Sequence, residues 1–135
     1  MMTSGKFIPG ASATVDTLDW GTMKWVSRPV DTDASHLVVI EVELQPGFGH
    51  DFHKHPGQEE VIYVLEGSIE QWLEKKSQTL NAGDAVFIAG GVVHASFNVS
   101  DKPARLHVTL GPSVGAEGYQ LVDVANEEPW QSLRG

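Results

Sequence analysis

The chain has 135 residues, 41% of them hydrophobic, and includes four tryptophans, two tyrosines and five phenylalanines. That length and composition fit one folded domain with a single core and exclude a disordered or collagen-like chain. Nine basic residues against eighteen acidic ones give a net charge of -9, which repels nucleic-acid phosphate and anionic lipid where no basic patch is concentrated, and the sequence has none.

The opening "MMTSGKFIPGASATVD" lacks the continuous apolar stretch of a signal peptide, and no later run approaches a membrane span, so a soluble cytoplasmic protein is expected. Residues 1–30 read as a polar leader, unstructured or docked on a partner, followed by an edge strand at Met23 to Ser27. Residues 31–112 carry the main series of strands. In the run from Leu37 to Leu44, Glu41 and Glu43 share one face while Ile40, Val42 and Leu44 share the other, the period of a sheet with one wet and one dry side. After "QPG" and a histidine-rich segment, Val61 to Leu65 and Ser68 to Glu74 read as a hairpin turning at Glu66 and Gly67. Further strands are expected at Gln78 to Leu80, Ala85 to Ile88, Val93 to Asn98 and Arg105 to Leu110, between turns rich in Gly, Asn, Asp and Pro. Their spacing predicts an all-β sandwich or barrel. Residues 113–135 form a tail in which Asn126 and Pro129 can cap and start a short helix, an extended tail being the alternative.

His53 and His55 lie two apart, so on a strand both imidazoles point to one side and Lys54 to the other. This is the geometry of a chelating pair, and equally of two histidines at a strand end. Glu59 and Glu60 open the next strand, and His94 opens a later one after a glycine turn. With no cysteine in the chain, any metal must be held by nitrogen and oxygen alone, a donor set suited to manganese, iron, cobalt, nickel, copper or zinc. His50, three residues before His53, points away from that side in a regular strand and is expected in a loop or solvent role. His107 shares a face with Arg105 and Thr109 that either lines a cavity or meets solvent, and His36 reads as structural or exposed. The aromatics Phe48, Phe52, Tyr63, Trp72, Phe87 and Phe97 read mostly as core, one or two of them as pocket wall. Asn98, on the face of His94, is either a second contact around the site or a turn-bonding residue.

Gly47, five residues, His53-Lys54-His55, four residues, Glu60, six residues and Gly67 resemble the first conserved motif of the cupin superfamily. Gly83, five residues and "AGGVVHASFN" resemble the second, with Ala89 where the family usually has proline. The resemblance implies a jelly-roll β-barrel, or double-stranded β-helix, holding a divalent transition metal on His53, His55, Glu60 and His94. It selects Glu60 over Glu59, which strand parity alone leaves open. From strand faces and residue type, Asn98, Tyr63, Phe87 and His107 are the candidates for the pocket or the shell behind the ligands. Four protein ligands either close a tetrahedral site or leave two positions free on an octahedral ion, and with this histidine and carboxylate set the open site is expected. Small cupins act on small molecules, and oxygenase chemistry is the first expectation. An isomerase or lyase, or a non-catalytic sugar-like binding protein, is the alternative. A homodimer is expected too, with Met23 to Ser27, Trp20 and Trp25 as part of its contact.

Overall fold

The alternation in these strands sorts them into two antiparallel sheets. The computed structural model describes residues 4–135, so the first three residues of the predicted leader lie outside it. One sheet has six strands in the order β1 (Val15–Leu18), β2 (Gly21–Ser27), β3 (Val38–Leu44), β10 (Ala104–Gly111), β5 (Glu59–Glu66) and β8 (Ala85–Ile88). The other runs β11 (Val122–Asp123), β4 (Gly49–Lys54), β9 (His94–Phe97), β6 (Ser68–Leu73) and β7 (Lys76–Asn81). Two single-turn helices, α1 (Pro29–Thr32) and α2 (Trp130–Leu133), complete the elements that matter here. No helix among the described residues is long and apolar enough to cross a membrane.

The core follows from period two. Val38, Ile40, Val42 and Leu44 of β3 meet Ile62 and Val64 of β5 and Leu106, Val108 and Leu110 of β10 between the sheets. Each such aliphatic side chain contributes about 1.5–3 kcal/mol by leaving water. A second cluster lies on the far side of the five-stranded sheet, where Phe52, Val93, Ala95, Phe97 and Val124 are covered by Trp130 and Leu133 of the tail. Strand β9 is therefore buried on both faces, and the short helix starting after Pro129 is a lid on that second core.

Three expectations need correction. Met23 and Trp25 are 7% and 3% exposed and belong to the barrel core, so they are not available as a contact between subunits. A strand within the supposed leader, β1, pairs with β2. Finally, β5 and β6 do not form a hairpin, because β5 pairs with β8 and β10 while β6 pairs with β7 and β9. Gly67 instead carries the chain from one sheet to the other at φ 80, where a Cβ would stand 2.8 Å from the Pro103 carbonyl oxygen. The hairpin joins β6 to β7 and turns through Glu74, at φ 54. A turn signal marks where a chain reverses, not which sheet receives the next strand.

Candidate metal centre

The site begins with an irregularity in β4. His53 is opposite His94 and His50 is opposite Ser96, so three steps along β4 match two along β9. The extra residue is a β-bulge, which resets the side-chain phase of the strand. His50 is thereby turned to the same side as His53, contrary to its expected outward role, and the two rings stack at 3.7 Å. Just past the end of β4, His55 faces inward as well. From the neighbouring strand comes His94, and from the opposite sheet comes Glu60 on β5, whose neighbour Glu59 is exposed.

The ligand atoms of His53, His55 and His94 lie within 4.8 Å of one another, and all three residues are buried. Each ring is oriented by a backbone carbonyl: Nδ1 of His53 bonds to Asp51 O at 2.6 Å, that of His55 to Gln120 O at 3.0 Å and that of His94 to Val92 O at 3.0 Å. A carbonyl can only accept, so each Nδ1 carries a hydrogen and a neutral ring has its Nε2 lone pair free for an ion. Glu60 Oε1 lies 2.9 Å from His94 Nε2 and 3.4 Å from His55 Nε2. Yet Glu60 Oε1 and His94 Nε2 are buried without a hydrogen-bond partner. Two acceptor atoms held that close, away from water, are costly unless a cation or a proton lies between them. The buried triad could hold a metal ion, and the chemistry of its donors fits one.

The titration behaviour agrees. Burial, reinforced by the nearby His50 and His94 rings, keeps His53 well below the usual histidine range, and burial lowers His50 to about 4. Burial also lowers His55, against the opposing pull of Glu60. His94 goes the other way: burial would lower it, but the Glu60 carboxylate outweighs this and raises it. A proton on His94 Nε2 would relieve the same contact that a cation would.

Above these groups is a cavity of about 40 Å³, room for an ion and a few waters. Its walls are mainly aliphatic, from Met23, Ile40, Val42, Leu106 and Val108 among others. The polar pair Ser96 and Gln71 is satisfied internally, Ser96 Oγ donating to Gln71 Oε1 at 2.6 Å. Of the lining residues only Trp20, His50 and Tyr119 are partly exposed. They form the mouth. The Trp20 indole stacks on His50 at 5.1 Å and 13°, and Tyr119 packs 5.6 Å from His55. Sequence reasoning missed both Trp20 and Tyr119 as pocket residues. An aromatic side chain in the polar turn Asp19-Trp20-Gly21 was the available signal for the first; no local feature marks the second.

Several expected pocket residues lie elsewhere. Tyr63 and Phe87 are 42% and 56% exposed, and His107, opposite Tyr63 in the ladder, is exposed too. All three are on the outer face of the six-stranded sheet, because β5, β8 and β10 turn their even-numbered residues inward. Asn98 is buried, but it bonds to the carbonyls of Leu44 and Lys102 and to Ser100, closing the turn after β9 without lining the cavity. His36 is exposed.

Residues 40–110 match the family model described as "Cupin domain". Germin-like protein 1 of Brassica napus is 33% identical over 94 residues, covering 66% of this chain and 44% of that protein. Polyketide synthase CurC of Streptomyces cyaneus is 30% identical over 92 residues, covering 68% of this chain and 60% of that protein. The chain thus spans between 44% and 60% of the length of these curated relatives. Among solved structures, the polyketide cyclase RemF from Streptomyces resistomycificus superposes with a TM-score of 0.72 over 98% of this chain and 99% of its own, at 22% identity, a likeness of fold. With two antiparallel sheets enclosing a buried histidine triad, and with the family model covering its central strands, the chain belongs to the cupin family.

Proposed function

We propose that this cupin is a metal-dependent enzyme that acts on a small, largely apolar molecule bearing an enol, phenol or carbonyl oxygen, with oxygenase chemistry as its reaction type. The observation that carries this reading is the pair of buried, unpartnered atoms Glu60 Oε1 and His94 Nε2 beside two further imidazoles. In this reading His53, His55 and His94 hold a divalent ion through Nε2, and Glu60 completes the set through Oε1. Such an ion supplies Lewis acidity, and a redox-active one also electron transfer with dioxygen. The aliphatic walls exclude water around the ion and the reacting oxygen, while the body of the substrate lies at the mouth. The half-exposed rings of Trp20, His50 and Tyr119 order its entry. A sugar-like ligand is disfavoured, since its hydroxyls would meet hydrocarbon and an already satisfied Ser96–Gln71 pair.

A second reading, isomerase or lyase chemistry by Lewis acidity alone, is supported by the same nitrogen and oxygen donor set, which suits a redox-inert divalent ion as well as a redox-active one. Separate reconstitution with iron, manganese, nickel, copper and zinc, followed by oxygen-uptake and product assays on phenolic and diketone substrates, tests both. Oxygen uptake confined to redox-active ions supports the oxygenase. Turnover with zinc and no oxygen uptake supports the second reading. Tight binding without turnover on every ion overturns the enzyme reading.

A further inference from the structure

Between His55 and Glu60 lies Gln58, a side chain that none of the foregoing chemistry uses. It is 1% exposed. Its Nε2 donates to Pro112 O at 2.8 Å and to Gly118 O at 3.0 Å, and its Oε1 accepts from the Gln120 backbone N–H at 3.0 Å. One side chain thereby spends both its donors and its carbonyl on the segment that joins β10 to β11. The segment is held close elsewhere too: Gly118 sits at φ 89, where a Cβ would come within 2.5 Å of Val38 Cγ2.

That segment bears on the centre in two places. The Gln120 carbonyl receives Nδ1–H of His55 at 3.0 Å, and Tyr119 lines the mouth. The other two rings are oriented locally, by carbonyls two residues away at Asp51 and Val92. His55 alone depends on a partner 65 residues distant in the chain. We propose that Gln58 is a positioning residue for the metal centre, fixing the tautomer and direction of His55 by pinning the 112–120 segment so that the Gln120 carbonyl faces the ring.

The competing account is that Gln58 only satisfies buried carbonyls, as Asn98 does for Leu44 and Lys102 away from the cavity. Gln58→Leu removes all three bonds. Gln58→Glu keeps the acceptor for Gln120 N–H but loses both donors, and it carries the test if the leucine variant does not fold. The first readout is the imidazole ¹⁵N spectrum of metal-free protein. The expected result is that His55 shifts from Nδ1–H toward a mixture containing Nε2–H while His53 and His94 keep their wild-type signals. The second is zinc affinity by competition with a chelator, expected to fall about 10-fold to 100-fold, as for loss of an outer-shell partner. Asn98→Ala, compared for its loss of thermal stability, should leave both readouts as in wild type. An unchanged His55, a shift of all three rings together, or an equal loss of zinc affinity in Asn98→Ala would overturn the proposal. The affinity readout rests on the metal reading above; the spectrum needs no metal, so failure of wild type to bind zinc sinks that reading and leaves the His55 result decisive for Gln58.

Discussion

Metal added to stripped protein should raise its thermal midpoint, and the size of the rise can be worked out. An ion that binds only the folded state, at a hundred times its Kd, adds about 2.7 kcal/mol. Unfolding entropy of about 2.1 cal/mol/K per residue gives about 0.28 kcal/mol/K for this chain, so the midpoint moves by about 10 °C. His94 is 1% exposed and faces Glu60 at 2.9 Å, so His94→Ala removes a donor that no neighbour replaces. If affinity drops a hundredfold, the same metal concentration adds only about 0.4 kcal/mol and the shift shrinks to about 1.5 °C. His107→Ala, on the outer face, should keep the full shift. Melts of chelator-stripped and metal-loaded protein, followed by circular dichroism, measure all three, with each variant referred to its own metal-free midpoint. A His94→Ala variant that retains the wild-type shift would refute the assignment, as would a shift lost in His107→Ala.

Phe52, 1% exposed in the second cluster, should cost about 3–5 kcal/mol on truncation to alanine, read from denaturant midpoints; a loss below a tenth of that would contradict the packing described. Gly67→Ala puts a Cβ 2.8 Å from a carbonyl oxygen at φ 80, so a loss of about 1 kcal/mol or more is expected, and an unchanged midpoint would refute the requirement for glycine. Trp20→Ala should let a chelator extract bound metal faster by opening the mouth; an extraction rate equal to wild type would show that entry lies elsewhere. Metal-free protein should lose stability as pH falls from 6.5 toward about 4, the window set by His50. Across it the unfolded chain binds more protons than the folded one at His50, His53 and His55. His94, raised, works in the opposite sense, its contribution being present below 6.5 and lost as pH rises through its folded value. Denaturation at a series of pH values that shows stability constant or increasing on acidification would refute the burial of neutral rings.

Much of the architecture is legible because a two-residue period is stated locally: β3 and β10 can be read off their own residues. Parity also groups Val61, Tyr63 and Leu65 on one face of β5, but it does not say which face is inner. For that reason it leaves Tyr63, Phe87 and His107 open between cavity and outer face, and the structure puts all three outside. His50 departs from its expected place for another reason, since a bulge changes the count of residues without leaving a residue type that announces it. Trp20 and Tyr119 reach the cavity only through pairings made far along the chain, as does the Gln120 carbonyl on His55. The spacing of the histidines is a property of the sequence; what surrounds them is a property of topology.

The bulge in β4 has a further effect. In an unbroken antiparallel ladder most strand carbonyls are committed to the neighbouring strand. Asp51 and Phe52 fall in the gap between the ladder pairs His50–Ser96 and His53–His94, and the Asp51 carbonyl is bonded to the His53 ring. The sheet thus gives up one place in its ladder, and the group released there settles which nitrogen of His53 carries the hydrogen. A flaw in the strand is, for the imidazole beside it, the source of its orientation.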